Sequence, residues 1–107
     1  MQVKRVCFVL NVRPDRLEDY RSRHREVWPE MRDALAKSGW RDYSLFLRAD
    51  GLLVGYLVTD DFERARAAIR DMPINQRWQE HMQPLFESLE AHADDLMHPL
   101  DEVFHLD

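Results

Sequence analysis

Three side chains in the stretch YRSRHREVWPEM, at 20 to 31, can do chemistry and are spaced so as to act together: Tyr20, His24 and Trp28. On a helix, positions i, i+4 and i+8 drift by only about 40° per step, so the three form one stripe. A histidine on such a stripe is partly withdrawn from water, with an aromatic wall on either side. Its ordinary pKa of about 6.5 lets it give or take a proton near neutral pH, as general acid–base catalysis requires. The same spacing also describes a packed helix face with a hydrogen-bonded histidine, and spacing alone does not separate the two.

The elements that must position this stripe are visible as patterns. Residues 3 to 12, VKRVCFVLNV, are β-branched and apolar enough for a buried strand, in which Cys7 reads as a small buried hydrophobe. Arg13-Pro14-Asp15 ends that strand, and Asp15 is placed to cap a helix. Leu17, Tyr20, Val27, Trp28, Met31 and Leu35 then recur at helical spacing as far as Gly39, a left-handed cap. Pro29 lies inside that pattern and predicts a kink or a fresh first turn at the Trp28-Pro29 step.

Asp50-Gly51 predicts a two-residue hairpin turn. Counting outward from it pairs Ala49 with Leu52, Leu47 with Val54, Leu45 with Tyr56 and Tyr43 with Val58, so that Tyr43 and Tyr56 share a face. Thr59-Asp60 is placed to cap the helix FERARAAIRDM, and Pro73 opens a further one, INQRWQEHMQPLFESLEA. The stretch from His92 to Pro99 reads as a loop, and DEVFHL as a last short strand. The order strand, helix, strand, strand, helix, strand predicts an α+β ferredoxin-like domain, an antiparallel sheet with helices on one face. The other face is expected to be buried against a second copy in a two-fold homodimer.

The 107 residues are expected to form a single domain, 1-107. A net charge of -5 with acids and bases interleaved offers no basic stripe and argues against nucleic acid. No stretch approaches the roughly 20 apolar residues that cross a bilayer, and the apolar start is too short for a signal segment, so no membrane partner is expected. A single cysteine points to a reducing cytoplasm. His81, His92, His98 and His105 show no paired-ligand spacing, and Asp94 and His98 share a side only if their loop is helical, so no metal is expected.

Residues 20 to 31 with the strand before them, DYSLFL at 42 to 47, QRW at 76 to 78 and EVFHL at 102 to 106 resemble, in order, the L-rhamnose mutarotase family. The most specific part is Tyr-x3-His-x3-Trp-Pro-Glu, here Tyr20, His24, Trp28, Pro29 and Glu30. The resemblance implies a dimeric ferredoxin-like α/β-barrel assembly that interconverts the α and β anomers of a 6-deoxy-L-pyranose, with no cofactor and no metal. It implies that His24 is the catalytic proton donor, that Tyr20 and Tyr43 bind the monosaccharide, and that Trp78 lines the pocket. Well-known members carry a Trp-Trp pair after Gln-Arg, whereas this chain has Trp78-Gln79, an amide in place of one binding aromatic. Since related members act on L-fucose, both sugars are candidates.

Aromatic planes suit the apolar C–H face of a pyranose, so Trp28 and Trp78 are the expected platforms, while Trp40 reads as packing or interface. For the base, a water, a tyrosine hydroxyl and Glu30 all stay open, as do Arg5, Arg48 and Arg77 as partners of sugar hydroxyls. A non-catalytic dimeric ferredoxin-like module that binds a small ligand would use the same aromatic pocket without proton exchange.

Overall fold

The computed structural model describes residues 3–86 and 97–106, and its first strand shows why the sheet has two unlike faces. Along β1 (Lys4–Asn11) the side chains alternate, burying Phe8 and Leu10 and leaving Cys7 and Val9 half-buried on the opposite face. Cys7 is therefore not the buried hydrophobe expected of it. A 3-10 turn (Pro14–Arg16) leads into α1 (Leu17–Arg25), and α2 (Pro29–Lys37), β2 (Arg41–Leu47) and β3 (Leu52–Thr59) follow. Then come α3 (Phe62–Arg70), α4 (Pro73–Met82) and β4 (His98–Pro99).

The strands lie in the order β2-β3-β1-β4 with every pairing antiparallel, the expected ferredoxin-like α+β topology. Tyr20, Met31, Ala34, Ala65, Ile69, Trp78 and Met82 from the four helices form one core with Phe8, Leu10, Leu53 and Leu57 of the sheet. The helices thus cover a single face. Phe8 pairs with Gly55, and its ring fills the space that a Cβ at Gly55 would need. No helix among the described residues is long and apolar enough to cross a membrane.

At the Trp28-Pro29 step the chain starts a fresh helix. The clash of a proline ring with the preceding residue keeps Trp28 out of the helical region (φ -55°, ψ 134°), so α1 stops at Arg25 and Pro29 takes the first position of α2. Only Tyr20 and His24 share α1, and Trp28 lies outside it. Gly39 is the left-handed cap expected, at φ +94°. Asp15 caps nothing and pairs with Arg13 at 3.0 Å. The cap of α3 is Asp61, whose carboxylate accepts from the Arg64 N–H at 3.1 Å, while Asp60 pairs with Arg41.

The hairpin departs from the expected register by one residue. Ala49, Asp50 and Gly51 make a three-residue loop, closed by the Arg48 N–H donating to the Leu52 carbonyl at 2.8 Å, with Gly51 at φ +100°. The Gly51 carbonyl accepts from the Val12 N–H at 2.8 Å, and a side chain there would collide with the Val12 carbonyl. Leu47 consequently faces Leu53, Phe46 faces Val54, Leu45 faces Gly55 and Ser44 faces Tyr56. A slip of one residue exchanges faces, so Tyr43 and Tyr56 do not share a surface. Tyr43 packs on Trp40 and Phe8 beneath the helices, and Tyr56 lies beside Arg5 and Cys7 on the open face.

The closing strand is His98–Pro99, paired with Phe8 and Val9, and residues 101 to 106 form no strand. Proline has no N–H to extend a ladder, which keeps β4 short. The Leu100 N–H donates to the Cys7 carbonyl at 2.7 Å and Glu102 accepts from Arg5 at 2.7 Å, after which Val103, Phe104 and Leu106 are exposed. The expected last helix, 74 to 91, ends at Met82: Pro84 sits in a 3-10 turn (Gln83–Leu85), and Phe86 is extended and bridges to Val12. Residues 87–91 of that helix, and 92–96 of the expected loop with His92 and Asp94, lie outside the described residues.

Candidate active site

His24 stands one turn after Tyr20 on α1, and its Nδ1 lies 3.1 Å from the Tyr20 carbonyl oxygen. A carbonyl only accepts, so Nδ1 carries a proton in either charge state and Nε2 is the nitrogen left to exchange one. The Tyr20 ring stacks on the imidazole with centroids 4.3 Å apart and planes 26° apart. Burial pushes the His24 pKa below its usual 6.5, and the hydrogen bond to the Tyr20 carbonyl opposes this only in part. Burial, and then the neighbouring Tyr43, push the Tyr20 hydroxyl well above its usual 10, so it stays a hydrogen-bond donor.

Trp78 of α4 forms the next wall. Its ring stands edge-on to His24, at 5.6 Å and 87°, and to Trp28, at 5.0 Å and 83°. The Arg23 guanidinium donates to the His81 carbonyl, tying α1 to the last turn of α4. A cleft of about 440 Å³ lies against these walls, lined among others by His24, Arg32, Trp40, Tyr43, Leu45 and Trp78. That size falls in the range of roughly 300–1,000 Å³ found for small-molecule sites. A pit of about 50 Å³ shares His24, Tyr43, Leu45 and Trp78 with the cleft and adds Tyr20 and Gln79. Gln79 donates from Nε2 to Asn75 Oδ1 at 3.2 Å, while its Oε1 is buried with no hydrogen-bond partner among the described residues.

Five of the six residues expected to form the site, His24, Tyr20, Tyr43, Trp78 and Gln79, thus meet around one cleft and its pit. Trp28 backs Trp78 and does not line either cavity, because α1 ends before it. Glu30 is displaced further: its side chain is 79% exposed and 3.9 Å from Arg77. Arg5 is held by Glu102 and Arg48 by Asp50, so none of the three arginines singled out lines the cleft. The cleft arginine is Arg32, which spacing could not reveal because the helix phase is reset at Pro29. Trp40 both lines the cleft and packs, its Nε1 donating to the Ala65 carbonyl at 3.1 Å. Among the described residues no three His, Cys, Asp or Glu side chains gather as metal ligands.

An imidazole, a phenol and two indoles around a small-molecule cleft, with a second phenol in the pit beside it, under the helices of a four-stranded antiparallel sheet, define a ferredoxin-like α+β domain with a small-molecule site. The family model for L-rhamnose mutarotase matches residues 5–106, and the chain belongs to that family of isomerases. It is 37% identical to an L-rhamnose mutarotase of Oceanobacillus iheyensis, covering 98% of this chain and 100% of that one. It is also 37% identical to an L-rhamnose mutarotase of Bacillus subtilis, again over 98% and 100% of the two chains. The crystal structure of an L-rhamnose mutarotase from Formosa agariphila shares the fold, with a TM-score of 0.79 at 22% identity over 97% of this chain and 99% of that one.

Proposed function

We propose that this chain interconverts the α and β anomers of L-rhamnose by general acid–base catalysis, without a cofactor. The observation that carries the proposal is His24, a half-buried imidazole whose Nδ1 is tied to a carbonyl and whose ring lines a sugar-sized cleft. Mutarotation opens the pyranose by protonating the ring oxygen as the anomeric hydroxyl loses its proton, and closes the aldehyde on its other face. An ether oxygen is a weak base and needs a strong acid. A lowered pKa makes the His24 imidazolium that acid, whereas the raised pKa of Tyr20 suits it to holding a hydroxyl.

Among the described residues no carboxylate lines the cleft or the pit and Glu30 lies outside both, so a water or a tyrosine hydroxyl, rather than Glu30, takes the anomeric proton. Tyr20 and Tyr43 hold sugar hydroxyls, Trp78 faces the apolar side of the ring, and Gln79 forms the floor. The protein works as a homodimer through the open face of its sheet, in a reducing cytoplasm that its single cysteine favours.

Saturation transfer between the anomeric protons of L-rhamnose and of L-fucose, with wild type and His24→Ala side by side, tests the reading. L-Rhamnose exchange should be enhanced by the wild type and fall about 10²–10⁴-fold in the variant, as expected on losing one acid–base group. Faster exchange of L-fucose would reassign the sugar. No enhancement of either, with dyes or haem bound indifferently to sugar, would make the chain a binding module.

A further inference from the structure

The pit below the cleft, at about 50 Å³, holds a short substituent or a water and excludes a sugar ring. One of its walls is Gln79, whose Nε2 is committed to Asn75 and whose Oε1 is buried and unpaired among the described residues. A buried oxygen of this kind favours any ligand that brings it a donor, since leaving it unmet costs the full desolvation of the group.

Which part of a pyranose reaches the pit follows from His24, which lines both cavities. When His24 protonates the ring oxygen, the nearest substituents are those on the two carbons flanking that oxygen, C1 and C5. The hydroxyl on C1 changes face during the reaction, and so small a pit does not accommodate that exchange. The arm on C5 keeps its place throughout.

We propose that Gln79 extends the substrates of this site to 6-hydroxy L-aldohexopyranoses, whose O6–H donates to the buried Oε1. The inference rests on the mutarotase reading above and adds to it a residue that discriminates at C6. A 6-deoxy sugar sets a methyl group against the same oxygen and leaves it unpaired. Sites built to meet a substrate hydroxyl discriminate more sharply on it than packing does on a methylene.

L-Mannose and L-rhamnose differ by one oxygen at C6 and supply the test. The ratio of their kcat/KM values, from saturation transfer, and of their Kd values, from calorimetry, is measured for wild type, Gln79→Leu and Gln79→Met. Wild type should exchange both sugars, and both variants should shift the kcat/KM and Kd ratios against L-mannose about tenfold or more. Gln79→Met keeps the side-chain length, so a folding defect would lower both sugars together and leave the ratio alone. Absence of L-mannose exchange and binding by wild type, or ratios unchanged in both variants, overturns the proposal and assigns Oε1 to a trapped water. Absence of exchange with every sugar, alongside discriminating binding, would overturn the mutarotase reading and leave the role of Gln79 standing.

Discussion

His24 carries its chemistry in a single nitrogen. Because the Tyr20 carbonyl holds Nδ1 as a donor, protonation and deprotonation both occur at Nε2, and the group's pKa decides which form is present. That pKa is lowered by burial, so at pH 7 the neutral form dominates and the acid is the minority species. If donation to the ring oxygen limits opening, kcat/KM for L-rhamnose exchange should fall as pH rises through a pKa below 6.5 and level off on the acid side. The limb should be missing in His24→Ala, and NMR titration of the imidazole should give the same pKa. A profile that climbs with pH over this range would instead make neutral Nε2 the base toward the anomeric hydroxyl. Of these residues, spacing revealed Tyr20 and His24 because both lie on the unbroken run of α1. It put Trp28 on the same stripe, whereas Pro29 starts a new helix after it, and it left Glu30 open as a base.

The first three strands and the four helices are legible as patterns, though the last helix ends at Met82 rather than running on, and the register that places the second tyrosine is not legible. An Asp-Gly pair suits a two-residue turn as well as a three-residue loop, and the choice here is fixed by the contact of Gly51 with the Val12 backbone, a tertiary fact. Likewise EVFHL has strand composition, but the ladder positions beside Phe8 and Val9 are taken by His98 and Pro99. The close approach of Phe8 to Gly55 is also invisible in sequence, and it bears on the site because the Phe8 ring neighbours Tyr43 at 6.3 Å. Phe8 is fully buried and lies 6.1 Å from the Phe62 ring, so it has little space to retreat. Gly55→Ala should therefore destabilise the fold by about 1–3 kcal/mol, the usual cost of overpacking a filled core. In a domain of this size the melting temperature should drop by roughly 4 °C per kcal/mol. A melting curve and denaturant midpoint equal to those of wild type would show that the ring moves aside freely.

At the scale of the whole molecule, the sheet has one face under helices and one that no helix among the described residues covers. On the uncovered side Phe46 of β2 is 61% exposed, and the tail anchored by the Arg5–Glu102 pair and the Cys7 carbonyl leaves Val103, Phe104 and Leu106 exposed at 94%, 78% and 80%. Four large apolar side chains this open are a candidate association surface, and each gains about 1.5–3 kcal/mol on full burial. A second copy is the occupant favoured by the symmetry of small assemblies, since a two-fold axis lets one patch cover itself. The wild-type chain should therefore sediment at twice its chain mass, with a melting temperature that rises with protein concentration. Phe46→Asp and Phe104→Asp should each weaken association by at least about tenfold, the equivalent of 1.4 kcal/mol, and shift the mass toward that of one chain. If either variant also loses anomer exchange in proportion to its dissociation, the cleft depends on the partner for its shape. If exchange survives in the monomer, His24, Tyr20, Tyr43 and Trp78 suffice within one chain. A wild type that stays at single-chain mass at high micromolar concentration would remove the dimer and leave this face to another partner.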